Sequence, residues 1–273
     1  MYQQHQYERY NDRRRRRNEG PSTPSFLIIS LLTQIYQHLD TLPVKPPATI
    51  ALLFLNIYPH IAPNVNVAGY YLSDISSNCL YPSKVINSYK WYGTIPINRI
   101  ILSGFIHADD QHLYYNMLSL LWKGCNLERH MSTLRFVLFI IFSLVISHSM
   151  HILLSYILLE YLHFDRSTTG YDSCAVGFSA VLFSMKYVWN QYHCDLATIW
   201  GISVQSKYAC WLELVIISWV SPNASFIGHL SGILAGILYM YCKYPIDLLA
   251  DFINAMILNQ QRRYTYARGY STR

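Results

Sequence analysis

The sequence predicts an all-α polytopic membrane protein of six transmembrane helices, and three observations carry that prediction. Hydrophobic residues make up 52% of the 273 positions and charged residues only 13%, about half the charge of a typical soluble domain. Basic residues collect at the two ends, as a run from Arg13 to Arg17 and as Arg262, Arg263, Arg268 and Arg273. Between about residues 100 and 245 the chain is mostly apolar, the pattern of a bundle that crosses a bilayer between basic tails. The basic clusters are read as topology anchors, so no nucleic-acid partner is expected.

The elements follow in order. Residues 1–24 read as a basic, disordered cytosolic tail. This is no secretory signal peptide: polar Asn18 to Ser25 follow the arginine run, and no small-residue cleavage site follows Phe26–Leu39. Glu8, Asp12 and Glu19 argue against a mitochondrial transit peptide. The stretch Phe26–Leu39 is apolar but shorter than the roughly 20 residues needed to cross, which predicts an interfacial helix over 25–40. The membrane domain is expected over 25–245, with spans at about 48–63, 111–129, 134–159, 172–190, 208–221 and 225–243. Pro46 and Pro47 open the first span, and Pro59 and Pro63 close it. Residues 64–99, rich in Tyr, Ser, Asn and Pro, are expected to form a long loop, and 246–273 a short tail.

Orientation follows from the positive-inside rule. Both tails are basic and an even number of spans puts them on one side. Lys123, Arg129 and Arg135 are read as flanking the turn between spans two and three, and Lys186 and Lys207 the turn between spans four and five. Both termini are therefore expected in the cytosol, with the 64–99 loop facing a lumen or the exterior. Cysteines 79, 125, 174, 194, 210 and 242 show no paired spacing that suggests a disulfide framework or a zinc site. They are read as small buried hydrophobes.

Spans two, four and six all begin on the lumenal face in this topology, and each carries polar residues near its start. His112 and Asn116 open span two, Ser179 lies about seven residues into span four, and His229 about four into span six. At 1.5 Å per residue those depths are roughly 6–10 Å below the interface. Polar groups there are unfavourable unless they pair or line a cavity, so a shared layer of them points to function. Serine becomes a nucleophile when a histidine takes its proton, and the oxyanion that develops needs fixed donors. His112 and Asn116, at i and i+4 on one helical face, and the Ser179 amide can supply them. Gly177, two residues before the serine, and Gly228, Gly232 and Gly236 along span six are expected to let helices four and six approach closely. Each has a bland alternative: a lone membrane serine packs against its own backbone, and Gly232 with Gly236 is a common structural motif. Their coincidence at one depth is what favours catalysis.

Four ordered segments carrying these residues resemble the rhomboid proteases. They are Arg99 through Gly104-Phe-Ile-His107-Ala-Asp to His112-Leu-Tyr-Tyr-Asn116; Trp122-Lys-Gly124 to Leu127-Glu128-Arg129; Cys174-Ala-Val-Gly177-Phe-Ser179-Ala-Val-Leu-Phe183; and Ser225-Phe-Ile-Gly228-His229-Leu-Ser-Gly232-Ile-Leu-Ala-Gly236. The likeness covers about residues 20–245 and implies a six-transmembrane-helix rhomboid bundle. It implies Ser179 as nucleophile and His229 as base, a dyad without the orienting carboxylate of a triad, with no metal and no cofactor. It further implies His112 and Asn116 at the oxyanion hole and Phe183 as the aromatic against which the histidine packs. Gly177 and Gly232 are supporting residues. Ala180 stands where the family usually has glycine, and Ile97 where it often has tryptophan. Glu213 is shared with the endoplasmic-reticulum subgroup and is read as a helix contact.

The resemblance implies single-pass or polytopic membrane proteins as substrates, the lipid bilayer as environment, the endoplasmic-reticulum membrane as location, and membrane-protein quality control as the role. The subgroup's tail carries ubiquitin- and ATPase-binding motifs, so the resemblance implies the degradation machinery as a partner, though no comparable acidic helix is read after residue 245. The rival reading is a catalytically weak or inactive rhomboid-like protein that binds or dislocates clients. A transporter lacks its inverted repeat, and a metalloprotease its His-Glu-x-x-His helix, since His148 and His151 have no acidic partner in sequence. An α/β-hydrolase elbow would need glycine where Val181 stands. Asn223-Ala-Ser225 fits a glycosylation sequence but lies at the expected membrane surface, where modification is not expected.

Overall fold

A computed structural model describes residues 25–62, 66–67, 69–71, 74–166, 168–193, 196–199, 201–221 and 224–270. The expected tail 1–24 with its Arg13–Arg17 run, Cys194 and the glycosylation candidate Asn223 lie outside the described residues. Helix α1 (Phe26–Thr41) begins at Ser25, whose hydroxyl accepts from the Ile28 amide. It buries Ile28 and Leu31 and leaves Phe26, Ile29 and Tyr36 exposed, as a helix lying against a bundle does.

Helix α2 (Pro47–Ile61) starts with proline at its first position, where no amide hydrogen is needed. Its N-cap, Pro46, has no side chain that can accept a hydrogen bond. A carboxylate from another helix supplies the cap. Glu128, buried on α6 (Asp110–Met131), accepts from the amides of Ala48 and Thr49 at 2.9 and 2.8 Å and from the Thr49 hydroxyl at 2.8 Å. It also accepts from Thr133 at 2.9 Å, at the start of α7 (Thr133–Glu160). One carboxylate therefore joins three helices. Replacing Glu128 with alanine strands these donors, and the unfolding free energy in detergent should fall by about 3 kcal/mol. Urea titration of the purified variant measures it, and a loss under about 1 kcal/mol would contradict this role.

The 64–99 loop is more structured than expected. It holds a two-residue hairpin, β1 (Asn66–Val67) with β2 (Tyr70–Tyr71), then α3 (Ile75–Asn78), α4 (Pro82–Tyr92) and α5 (Ile97–Ile101). A 3-10 turn over Leu102–Phe105 leads towards α6. The expected absence of disulfides is wrong for one pair: Cys79, just after α3, is bonded to Cys174. Cys125 and Cys210 are free and fully buried, as read.

Helices α2, α6, α7, α8 (Ser179–Tyr192), α9 (Ser206–Val220) and α10 (Phe226–Tyr270) correspond in order to the six expected spans. Among the described helices, α7 and α10 are long and apolar enough to cross a membrane by composition alone. Helix α10 does not stop near 243; it runs on through Pro245 to Tyr270. Arg135 on α7 pairs there with Asp247 and Asp251 at 3.3 and 2.7 Å. A second hairpin, β3 (Leu196–Ile199) with β4 (Ile202–Gln205), joins α8 to α9.

Helix α8 sits at the centre and packs on α6, α7, α9 and α10. Its 14 residues are about 21 Å long, short of the roughly 30 Å hydrocarbon thickness. The expected span over 172–190 is thus corrected: residues 172–178 are irregular and the helix begins at Ser179 itself. Irregular backbone at membrane depth is tolerated where protein satisfies it. Here Ala175 exchanges two backbone hydrogen bonds with Leu80, and the Gly177 amide donates to Ser103.

Lys123 and Lys186 do not flank turns. They lie inside α6 and α8, where both face Glu213 of α9, with Nζ–Oε separations of 3.8 and 3.4 Å. Glu213 is a helix contact, as read, and it is an ionic one. An isolated charge within a bilayer is unfavourable, whereas a paired one facing the bundle interior is tolerated.

Candidate active site

Ser179 is the first residue of α8, and Phe178 before it offers no side-chain cap. The first-turn amides of α8 therefore point out of the helix end without intrahelical acceptors, at the positive end of its dipole. A sequence reading that buried Ser179 within a span could not see this. The signals were Gly170 and Gly177, both with positive φ, which end and redirect the backbone before the helix.

His229 lies in the first turn of α10, and its Nε2 is 3.1 Å from Ser179 Oγ. With the ring proton on Nδ1, Nε2 accepts the serine hydroxyl. His229 Nδ1 is buried and has no hydrogen-bond partner among the described residues, so no carboxylate orients the ring. Phe183, one turn along α8, does so by stacking: the ring centroids are 4.5 Å apart and the planes 27° from parallel. Packing against Phe183, and no hydrogen-bonded carboxylate among the described residues, sets the ring's orientation.

The crossing of α8 and α10 makes this contact possible. A methyl group at Gly232 would lie 2.1 Å from the carbonyl oxygen of Ala180, and one at Gly236 would lie 3.0 Å from that of Ser184. Glycine on α10 lets the α8 backbone come this close. At this crossing the atom of Ala180 nearest Gly232 is its carbonyl oxygen.

Contrary to expectation, Gly177 does not serve the approach of α8 to α10; it lies at the other wall, against His112. Its φ of +110° is reached without strain only by glycine, and a Cβ there would stand 2.6 Å from Cε1 and 2.7 Å from Nε2 of His112. The backbone just before Ser179 thus rests on the His112 ring. Asn116 donates to the His112 carbonyl at 2.9 Å with one amide hydrogen, leaving its second for another acceptor. His112 itself is placed by Asp109, which caps α6 by accepting from the His112 amide at 2.7 Å. His107, which the sequence left without a role, stands edge-on to His112 with centroids 5.1 Å apart.

Ser179, His229, Phe183 and Gly232 thus meet across α8 and α10, while Gly177, His112 and Asn116 meet across the approach to α8 and α6. His148 and His151 are buried on α7: His148 pairs with the Ile100 carbonyl, and His151 lies against Gly228, the residue before His229. Among the described residues no group of three or more His, Cys, Asp or Glu is arranged to hold a metal.

Residues 96–246 match the model of the Rhomboid domain family. The chain belongs to the rhomboid family. Similar rhomboids include Rhomboid-like protein 14, mitochondrial, of Arabidopsis thaliana, 35% identical over 268 residues that cover 92% of this chain and 75% of that one. Human Rhomboid-related protein 4 is 39% identical over 241 residues, 86% of this chain and 68% of its own. A more distant relative, Rhomboid-like protein 15 of Arabidopsis thaliana, is 28% identical over 165 residues, 60% of this chain and 39% of its own. This rhomboid is an integral membrane protein of the all-α class that its family defines.

Proposed function

We propose that this rhomboid is an intramembrane serine endopeptidase that cuts transmembrane segments of single-pass or polytopic membrane proteins. The observation that carries the proposal is the 3.1 Å contact between Ser179 Oγ and His229 Nε2 inside the bundle. Ser179 Oγ attacks the scissile carbonyl while His229 takes its proton and then delivers it to the leaving amine. A water, deprotonated by the same histidine, releases the acyl group. The charge that develops on the carbonyl oxygen meets the first-turn amides of α8 and side-chain donors from His112 and Asn116. Asn116→Ala should therefore lower kcat about a hundredfold with KM nearly unchanged, in cleavage of a reconstituted reporter. A change confined to KM would remove Asn116 from the oxyanion hole.

The endoplasmic-reticulum membrane, with both termini in the cytosol, is the proposed location, and quality control of unstable membrane proteins the proposed role. One relative is named mitochondrial, so imaging against markers of both organelles decides the compartment. The functional test is co-expression with a single-pass protein whose transmembrane helix is polar. Cleavage fragments seen with the wild type and absent with Ser179→Ala and His229→Ala support the protease. Equal client turnover by Ser179→Ala supports client binding or dislocation instead.

A further inference from the structure

Residues 171–178 reach the nucleophile as irregular backbone, so their place is decided by what holds them from outside. Ser83 donates its amide to the Tyr171 carbonyl at 3.0 Å, Leu80 and Ala175 exchange amide hydrogen bonds at 2.9 Å, and Ser103 accepts from Gly177 at 2.9 Å. Every one of these partners belongs to residues 80–103. That region is itself tied down by Arg99, whose guanidinium donates to the carbonyls of Cys79 and Ser76 at 2.9 and 3.1 Å. One covalent bond joins the two sides, between Cys79 and Cys174. It lies next to the Leu80–Ala175 pair, three residues before Gly177 and five before Ser179.

We propose that this disulfide is a positioning strap for the nucleophile, so that Ser179 is held against His229 only while the bond is closed and catalysis belongs to the oxidised protein. This rests on the protease reading above. Without the strap, Gly177 can lift from the His112 ring and the start of α8 loses its fixed approach. A displacement of about 1 Å at a reacting group is enough to lower a rate a hundredfold.

The bond is placed for exchange. Cys79 is buried at 1% exposure, whereas Cys174 is exposed. An incoming thiolate attacks Cys174 Sγ, the S–S bond breaks, and Cys79 leaves as a thiolate that takes up a proton. A second thiol resolves the mixed disulfide, which frees the Cys174 thiol and leaves the reductant as its disulfide. Closure runs the other way, with glutathione disulfide accepting two electrons and two protons to become two thiols. The strap therefore closes where the loop faces an oxidising compartment, and the buried thiols of Cys125 and Cys210 take no part.

The test uses the full chain in proteoliposomes with a single-pass reporter, oxidised with glutathione disulfide or reduced with dithiothreitol. Maleimide gel shifts count the free thiols. Reduction should lower kcat at least tenfold with KM changed less than twofold, and reoxidation should restore it. Cys79→Ser/Cys174→Ser should show the low rate in both buffers, while Cys242→Ser should respond as the wild type does. Amide hydrogen exchange over 171–178 should rise on reduction while exchange in α7 stays constant. A reduced protein with both thiols open and an unchanged kcat would overturn the strap. If the oxidised wild type cleaves nothing, the protease reading fails, and the exchange data alone decide: unchanged protection over 171–178 sinks the strap, and raised protection loss confined there supports it.

Discussion

Cleavage of a reconstituted transmembrane reporter should fall at least about a thousandfold when Ser179 is replaced by alanine, and equally when His229 is. Without Oγ no acyl-enzyme forms. Without the imidazole the hydroxyl keeps a proton that nothing at 3.1 Å can take. The two residues act as a unit, so the double variant should be no slower than either single one. Neither change should unfold the protein. Ser179 Oγ makes one hydrogen bond with a net worth of about 1 kcal/mol, and the Phe183 ring remains packed over the space that His229 leaves. Product formation per minute at saturating reporter is the measurement. A Ser179→Ala protein retaining a tenth of the wild-type rate would show that the nucleophile lies elsewhere.

The second large effect is expected from one methyl group. Gly232→Ala puts a Cβ 2.1 Å from the Ala180 carbonyl oxygen, 2.9 Å from its carbon and 3.0 Å from Phe183 Cβ. Backbone on a packed helix cannot swing aside, so α8 and α10 must separate. Overpacking of this kind is worth about 1–3 kcal/mol in stability. The activity loss should be larger. Ser179 adjoins Ala180, and His229 lies one turn before Gly232, so the displaced crossing is the one that sets the Ser–His distance. A shift of about 1 Å there should lower kcat about a hundredfold in protein that remains folded. Gly236→Ala, with contacts of 3.0–3.2 Å to Ser184 and Tyr187, should be milder on both counts. The comparison of kcat with the denaturation midpoint for the two variants separates the effects. Equal losses at the two glycines would contradict this account.

Particular residues show why some features could be read early. Ser179, His229, His112 and Asn116 stand out because polar groups in apolar stretches need a reason, and regular helices place them at related depths. Ser179 was expected some way inside a helix, yet it begins one. The run from Cys174 to Phe178 is apolar enough to pass for helix. Its backbone instead bonds to Leu80 and Ser103, residues far away along the chain. Counted one at a time along the sequence, Lys123 and Lys186 look like markers of turns. Their shared partner Glu213 lies on a third helix. The disulfide escaped for a similar reason: its cysteines are 95 residues apart, a spacing that carries no local signature.

By itself the sequence determined the class, the order of the six apolar helices it expected as spans, and which side chains do not belong in hydrocarbon. These follow from composition and from the fixed rise and period of a helix, both local properties. Only the tertiary structure decided where α8 starts, that Glu128 caps α2, that a carboxylate on α9 pairs two lysines, and that Cys79 reaches Cys174. Each is a contact between residues distant in the chain. Such contacts are set by how closely helices pass, which at the site depends on the absence of a side chain at Gly232.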